Sequence, residues 1–365
     1  MKTQQPSLRV VLEQLSPSDR SGDAAAAAAL KAAEENAAGH GTPWFVRAMV
    51  AASAWVASLL LLTFVFGSGL VKGSASSTFA GVLIIAGAVA LGRLKSDSPF
   101  LAQLGLALSL AGQVLFIGGI GEEMHEEGAS LAAIAVSVAL IIFYPDRTHR
   151  FLSTLIAVAG AAVFVREVHL PYGSQSLALA VTAAAGHLWF NESSLISGTR
   201  DQVMRPVAYG LIAGAILLLM PSIVPDEFRH RLSVPSAWTI TSVLLTVLLL
   251  LLEYRLLVFH GRLEHRKLAA IVFGGTIALA AVSFRAPGMI GALFVLATGF
   301  HRGNRIITGL AVVFLGVFLT AYYYNMQITL LTKSYALLAS GGMLILLRLF
   351  IPRTERAGEQ EAVHE

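Results

Sequence analysis

The stretch SAWTITSVLLTVLLLLLEYRLLV, residues 236–258, decides the fold. It has no charged residue before Glu253. At about 1.5 Å of rise per residue, a helix of this length crosses a hydrocarbon layer of about 30 Å. Similar apolar runs recur along the chain, and they favour a polytopic helical membrane protein. A chain of 365 residues otherwise suggests two or three soluble domains.

The composition supports this class and excludes several kinds of chemistry. The chain is 56% hydrophobic and 13% charged, whereas soluble domains are about 25% charged. It contains no cysteine, which excludes disulfides, zinc–thiolate sites, iron–sulfur clusters and thiol catalysis. No phosphate-binding loop, serine-hydrolase motif or zinc-protease motif is present, so no enzyme and no cofactor is predicted. No basic patch beyond the short loops indicates nucleic-acid binding.

The runs predict an all-α protein with about twelve transmembrane helices. Residues 1–43 are predicted to form a polar N-terminal arm with short helices and no cleavable signal peptide. Residues 44–350 are predicted to form the transmembrane domain, and residues 351–365 a polar tail. The predicted spans are 44–66, 78–94, 100–120, 129–144, 151–165, 174–190, 206–224, 236–258, 268–284, 287–301, 305–324 and 330–350.

The positive charges predict the orientation of these spans. Cytoplasmic loops of membrane proteins carry an excess of Lys and Arg. Of the 26 Lys and Arg residues, 20 fall in the tails and in the loops that follow even-numbered spans, and 6 fall in the other loops. This alternation predicts that both termini of this multi-pass protein lie in the cytoplasm, with the lipid bilayer as its surroundings. Small residues inside the spans, such as Gly81, Gly87, Gly309 and Gly316, are expected to let helices pack closely.

An acidic segment, GEEMHEEG at residues 121–128, is predicted to be a solvated periplasmic loop between the third and fourth spans. Glu122 and His125 have the spacing by which one helix presents two metal ligands. Glu227 and His230 repeat that spacing in another predicted outer loop. A mixed carboxylate and imidazole site for a transition metal is therefore a weak alternative. The third alternative is that the acidic residues bind a partner protein.

Polar side chains within the predicted spans are the candidate binding residues, because burying them in lipid is costly. Gln113 is predicted to hydrogen-bond between helices, and His187 to face other helices as a packing residue or a proton relay. Glu253 is expected to meet Arg or Lys from the neighbouring basic loop. Lys333 is expected to extend towards the outer interface.

Several stretches of the chain resemble a bacterial inner-membrane family, domain of unknown function 4401. The most specific are GFHRGNR at 299–305 and the pattern YYY…LLTKS…LLR near the C-terminal end, with PWFVRAMVAASAWVASLLLL at 43–62 and HRFLSTL at 149–155. The resemblance extends from about residue 8 to residue 350. It implies a multi-span inner-membrane protein and brings no established catalytic or binding residue. It also implies a relation to domain of unknown function 2157 and a small partner protein with a GDYXXLXY motif.

Two functions follow as expectations. The first is a transporter or permease for a small solute or lipid, which needs a continuous polar path through the membrane. The second is a non-catalytic scaffold that holds a partner at its outer acidic loops. The polar residues inside the spans favour the first.

Overall fold

The computed structural model describes residues 44–69, 72–93, 99–191, 201–224, 238–261, 266–284 and 286–325, together with five separate positions between 334 and 345. Regular structure in these residues is helical, which confirms the all-α prediction. The helices are α1 (Trp44–Gly67), α2 (Ser74–Arg93), α3 (Pro99–Phe143), α4 (Arg147–Glu167), α5 (Gly173–Phe190), α6 (Asp201–Leu219), α7 (Trp238–Phe259), α8 (Arg266–Val282), α9 (Pro287–His301) and α10 (Arg305–Asn325), with a short 3-10 turn at Met220–Ile223.

The chain divides into two compact units, Met1–Glu122 and Glu123–Glu365. In the first unit, α2 packs against the first part of α3 through small residues. Ser77 Oγ donates a hydrogen bond to the carbonyl of Leu115 at 3.0 Å. A Cβ added at Gly81 would lie 2.5 Å from the backbone nitrogen of Phe116. The backbones approach so closely because glycine carries no side chain at this contact.

In the second unit, the main hydrophobic core is formed by α5, α6, α7, α9 and α10. Helix α9 is its centre, since ten of its 15 residues are buried. Its sequence, PGMIGALFVLATGFH, combines large apolar residues with glycines. The Phe294 ring packs against Gly186 of α5, where an added Cβ would lie 2.4 Å from the ring. A helix that is apolar on nearly every face is expected to be buried in this way.

Six helices in the described part of the chain are long and apolar enough to cross a membrane: α2, α3, α4, α6 with its 3-10 turn, α7 and α10. The chain is therefore a multi-pass membrane protein, but the number is smaller than the twelve spans predicted. The third and fourth predicted spans are two helical segments that follow each other directly within α3 and meet at the non-helical residue His125. Helices α8 and α9 have only 17 and 15 residues. Most of the predicted twelfth span, the N-terminal arm and the C-terminal tail lie outside the described residues.

The acidic segment 121–128 is a kink in α3, and the prediction of a loop is wrong in this respect. Residues on both sides of His125 are helical, and His125 alone departs, with φ 59° and ψ −162°. Glu122 through Glu127 are all exposed, which is compatible with the predicted solvation. Acidic residues are good helix formers when they face water, so they do not need a loop. One residue with left-handed φ is enough to redirect the helix.

Small residues play two different roles. Gly81 packs closely as predicted, whereas an added Cβ at Gly87, Gly309 or Gly316 would meet no atom of the described residues within 4 Å. Close packing is therefore not seen at these three positions in the described part of the chain. Periodic glycines do not reveal from sequence alone whether their helix face is covered.

Candidate functional site

Gln113 is buried in α3, as the sequence predicted, with 1% of its surface exposed. Its amide Nε2 lies 3.4 Å from the carbonyl of Ser109, one turn earlier in the same helix. Its Oε1 is buried and has no hydrogen-bond partner among the described residues. The predicted bond between two helices is therefore not seen for this side chain, although its burial is confirmed.

His187 is exposed near the end of α5, which contradicts the prediction that it faces other helices. The side-chain amide of Asn191 lies 3.1 Å and 3.2 Å from the two nitrogens of the His187 ring. The physical reason is position, because the last turn of a membrane helix reaches the interface. There a polar ring finds a partner or water without turning inward.

Among the described residues Glu253 has a different partner from the one predicted, and Arg262 of the neighbouring basic loop lies outside them. It follows the apolar run Val247–Leu252 in α7, and it is half-buried. Thr276 of α8 donates its Oγ1 hydrogen to Glu253 Oε1 at 2.6 Å. Glu253 Oε2 is buried and has no hydrogen-bond partner in the described residues. The expected Arg or Lys is replaced by a hydroxyl because α8 packs directly against α7.

One exposed glutamate of the kink, Glu126, pairs with an arginine. Arg166 of α4 lies 3.4 Å from Glu126 and 3.2 Å from Glu167. Both Arg166 and Glu126 are about two-thirds exposed. Exposed pairs of this kind contribute about 0–1 kcal/mol to stability. The pair therefore contributes little to the stability of the fold, and it mainly shows that this surface carries charges of both signs.

The metal alternative receives no support from the described residues. No group of three or more His, Cys, Asp or Glu side chains in this part of the chain is arranged to hold a metal ion. Glu122 and His125 are both exposed at the kink. Glu227, His230 and the candidate Lys333 lie outside the described residues.

The segment GFHRGNR, which joins α9 to α10, docks onto the end of α5. Arg302 donates from Nε to the carbonyl of Trp189 at 2.6 Å and from Nη2 to the carbonyl of Phe190 at 3.0 Å. Asn304 Oδ1 accepts from the backbone N–H groups of Ile306 and Ile307, which begin α10. Arg302 thereby satisfies carbonyls at one helix end, and Asn304 satisfies amides at another.

An aromatic and basic cluster lies at the C-terminal ends of α5, α7 and α9. We call it the Phe190 cluster, and it consists of Phe190, Arg255, Phe259, His260 and His301. The His301 ring stacks on Phe190 with centroids 5.6 Å apart. Phe259 and His260 meet the His301 ring at 5.3 Å and 5.5 Å, edge to face. The guanidinium of Arg255 lies 5.7 Å from the centre of the Phe190 ring.

The sequence analysis missed this cluster as a site. Its members come from three helices and have no common spacing in the chain. The available signal was an aromatic residue followed by a histidine at two predicted span ends, in Phe259–His260 and Phe300–His301, with the aromatic pair Trp189–Phe190 at a third. The sequence does not show that these three ends meet, so no contact between them was predicted.

A second cluster, which is polar and buried, lies where α3 ends and α4 begins. The ring of His149 is fully buried, stacks on Tyr144 at 4.1 Å and lies 3.1 Å from Ser153 Oγ. Arg150 donates to the carbonyls of Ile141 and Gln202 at 3.0 Å and 2.9 Å. These bonds connect the ends of α3, α4 and α6. The role of this cluster is therefore structural.

The helices and their polar ends define a multi-pass α-helical membrane protein with polar groups placed inside and at the ends of apolar helices. The chain belongs to the family Domain of unknown function (DUF4401), whose sequence profile matches residues 43–354. The match confirms the resemblance over the transmembrane part, and it does not include the N-terminal arm. No curated protein and no solved structure matches the chain.

Proposed function

We propose that this chain is a membrane transporter that couples the movement of a small solute or lipid to a proton, with Glu253 as the group that takes up and releases the proton. The observation that carries the proposal is the pairing of Glu253 with Thr276 between two apolar helices. An ionisable residue inside a membrane helix is costly, and it is found where ions or protons move.

The surroundings of Glu253 support this role in two ways. Its Oε1 is held by a neutral hydroxyl, and in the described part of the chain no cation pairs with it. An unpaired carboxylate in apolar surroundings is unstable relative to its neutral acid. The group can therefore alternate between a protonated form and a form that needs a cation or water, and that alternation is what coupling requires.

The proposal includes the finer architecture that the charge pattern suggests. It places twelve spans in a bacterial inner membrane, with both termini in the cytoplasm, because Lys and Arg alternate between the two sets of loops. Gln113 is a further polar group for a solute path, with a buried Oε1. His187 is at a helix end and serves the path only at its mouth. No catalytic step is proposed.

The test is transport by the purified full chain in lipid vesicles that contain a pH-sensitive dye. A small-molecule extract of the expressing cells is added under an imposed pH gradient. We expect the extract to produce a pH change inside vesicles that contain the protein, and we expect Glu253→Gln to abolish it. Glu167→Gln is the matched control, since it makes the same exchange at a surface ion pair. Equal transport by Glu253→Gln and wild type would rule out the proposed role.

The exposed glutamates at the kink favour a second function, a scaffold for a partner protein. Glu122, Glu123, Glu126 and Glu127 form an acidic surface with only Arg166 paired to it among the described residues. A basic segment of a partner, such as the GDYXXLXY-motif protein, fits this charge. The vesicle experiment separates the two functions, because a scaffold produces no pH change with any extract.

A further inference from the structure

The Phe190 cluster contains a cation, Arg255, that has no hydrogen-bond acceptor in the described part of the chain. Arg302, next to it, is committed to the carbonyls of Trp189 and Phe190. Arg255 is exposed, and its one contact in the described residues is with the face of the Phe190 ring. Its guanidinium therefore keeps its hydrogen-bond donors for another acceptor. A guanidinium presents five donors in a planar fork that fits phosphate oxygens.

Two histidine rings belong to the same cluster as Arg255. His260 is exposed, and its Nδ1–H donates to the carbonyl of Leu256 at 2.8 Å. Its Nε2 can therefore donate to an anion when the ring is protonated. The ring of His301 joins His260 to Phe190, at centroid distances of 5.5 Å and 5.6 Å. Arginine and imidazole thus share one small aromatic patch.

The neighbouring rings indicate what kind of molecule meets this patch. Phe259 and Phe300 are 68% and 69% exposed. Aromatic rings combined with basic side chains at helix ends are typical of the level of lipid headgroups. Exposed rings of this size disfavour a small hydrated anion as the ligand, because such an anion would have apolar surface on one side. They favour a ligand with an apolar part and an anionic part.

We propose that the Phe190 cluster binds the phosphate group of an anionic phospholipid, with Arg255 as the main phosphate ligand and His260 as a second. The acyl chains would lie against the exposed rings, and the phosphate would lie at the ends of α5, α7 and α9. Basic pockets between membrane helices are known to hold anionic headgroups. The C-terminal ends of three helices are partly negative, so a bound anion depends on these cations.

The experiment is lipid titration of the purified full chain in detergent, followed by native mass spectrometry. Phosphatidylglycerol is compared with phosphatidylcholine of the same acyl chains, and inorganic phosphate is a third arm. We expect phosphatidylglycerol to bind more tightly than phosphatidylcholine. We expect Arg255→Gln to weaken the binding of phosphatidylglycerol about tenfold, since a charge-assisted bond to phosphate is lost. His260→Gln should weaken it less.

The control is Arg147→Gln, which removes an exposed arginine that the charge pattern assigns to the same membrane face. It should leave the affinity unchanged. Arg255→Lys keeps the charge without the fork, and it should lie between the wild type and Arg255→Gln. The proposal is overturned if the two phospholipids bind equally, or if Arg147→Gln weakens binding as much as Arg255→Gln. Displacement of phosphatidylglycerol by inorganic phosphate at equal concentration would also overturn it, because the ligand would then be the soluble ion.

Discussion

At the scale of single residues, Arg302 connects parts of the chain that are more than a hundred positions apart. Its guanidinium fills the place that water would take at the end of α5. Trp189 is only 3% exposed, unlike His187 on the same helix end, so an internal donor for its carbonyl matters more than it would at an exposed residue. The GFHRGNR segment thus has a structural role that its sequence alone did not show.

Replacing Arg302 by Ala should lower the free energy of unfolding by about 1–3 kcal/mol, because two partly buried carbonyls lose a charged donor. The matched control is Arg305→Ala, an exposed position three residues later. It should change stability by less than about 0.5 kcal/mol. The measurement is denaturant unfolding of the protein in mild detergent. Equal effects of the two substitutions would show that the bonds to α5 contribute nothing.

At this scale, the burial of a polar side chain could be predicted from the sequence, whereas the identity of its hydrogen-bond partner could not. The burial of Gln113 followed from its place in the middle of an apolar run. The partner of Glu253 did not follow, because the sequence does not show which helix packs against α7. The partners of Arg302 are backbone carbonyls, which every residue possesses, so no side-chain pattern predicts them.

At the scale of helices, α2 and α3 pack at a distance that only glycine permits. The Cβ of an alanine at Gly81 would lie 2.5 Å from the nitrogen of Phe116 and 2.8 Å from the carbonyl oxygen of Gly112. These are backbone atoms of a neighbouring helix, so no side-chain rotation relieves the overlap. On the same helix, the Cβ side of Gly87 is open.

The same substitution at these two glycines should therefore have opposite effects. Gly81→Ala should destabilise the protein by about 1–3 kcal/mol, because the two helices must move apart. Gly87→Ala should be neutral or stabilise by up to about 1 kcal/mol, since alanine is the better helix former. Thermal unfolding of both variants in the same detergent is the measurement. Destabilisation by Gly87→Ala as large as that by Gly81→Ala would contradict the described packing.

The apolar runs were sufficient to locate the helices, but they did not show what lies between one helix and the next. The predicted spans 268–284 and 287–301 lie close to α8 and α9. The acidic run at 121–128 was assigned to a loop because charge usually ends a membrane span. A glutamate that faces water satisfies a helix equally well, and the φ of one residue, His125, cannot be read from composition.

At the scale of the whole molecule, five of the six described glutamates fall into two populations, and the sixth is Glu167, which pairs with Arg166. Glu253 is half-buried within an apolar helix and is bound to a hydroxyl. Glu122, Glu123, Glu126 and Glu127 are exposed at the kink of α3. The central claim of the account is that the first kind lies in the membrane as an exchangeable acid and that the second kind lies in water.

Carbodiimide labelling tests this claim most directly. A carboxylic acid adds to a carbodiimide, and the adduct rearranges to a stable acylurea that mass spectrometry locates. Native membranes are treated in parallel with membrane-soluble dicyclohexylcarbodiimide and with a water-soluble carbodiimide. The account predicts that the membrane-soluble reagent labels Glu253 and the water-soluble reagent labels the glutamates of the kink. Labelling of Glu253 by the water-soluble reagent alone, or by neither reagent, would contradict it.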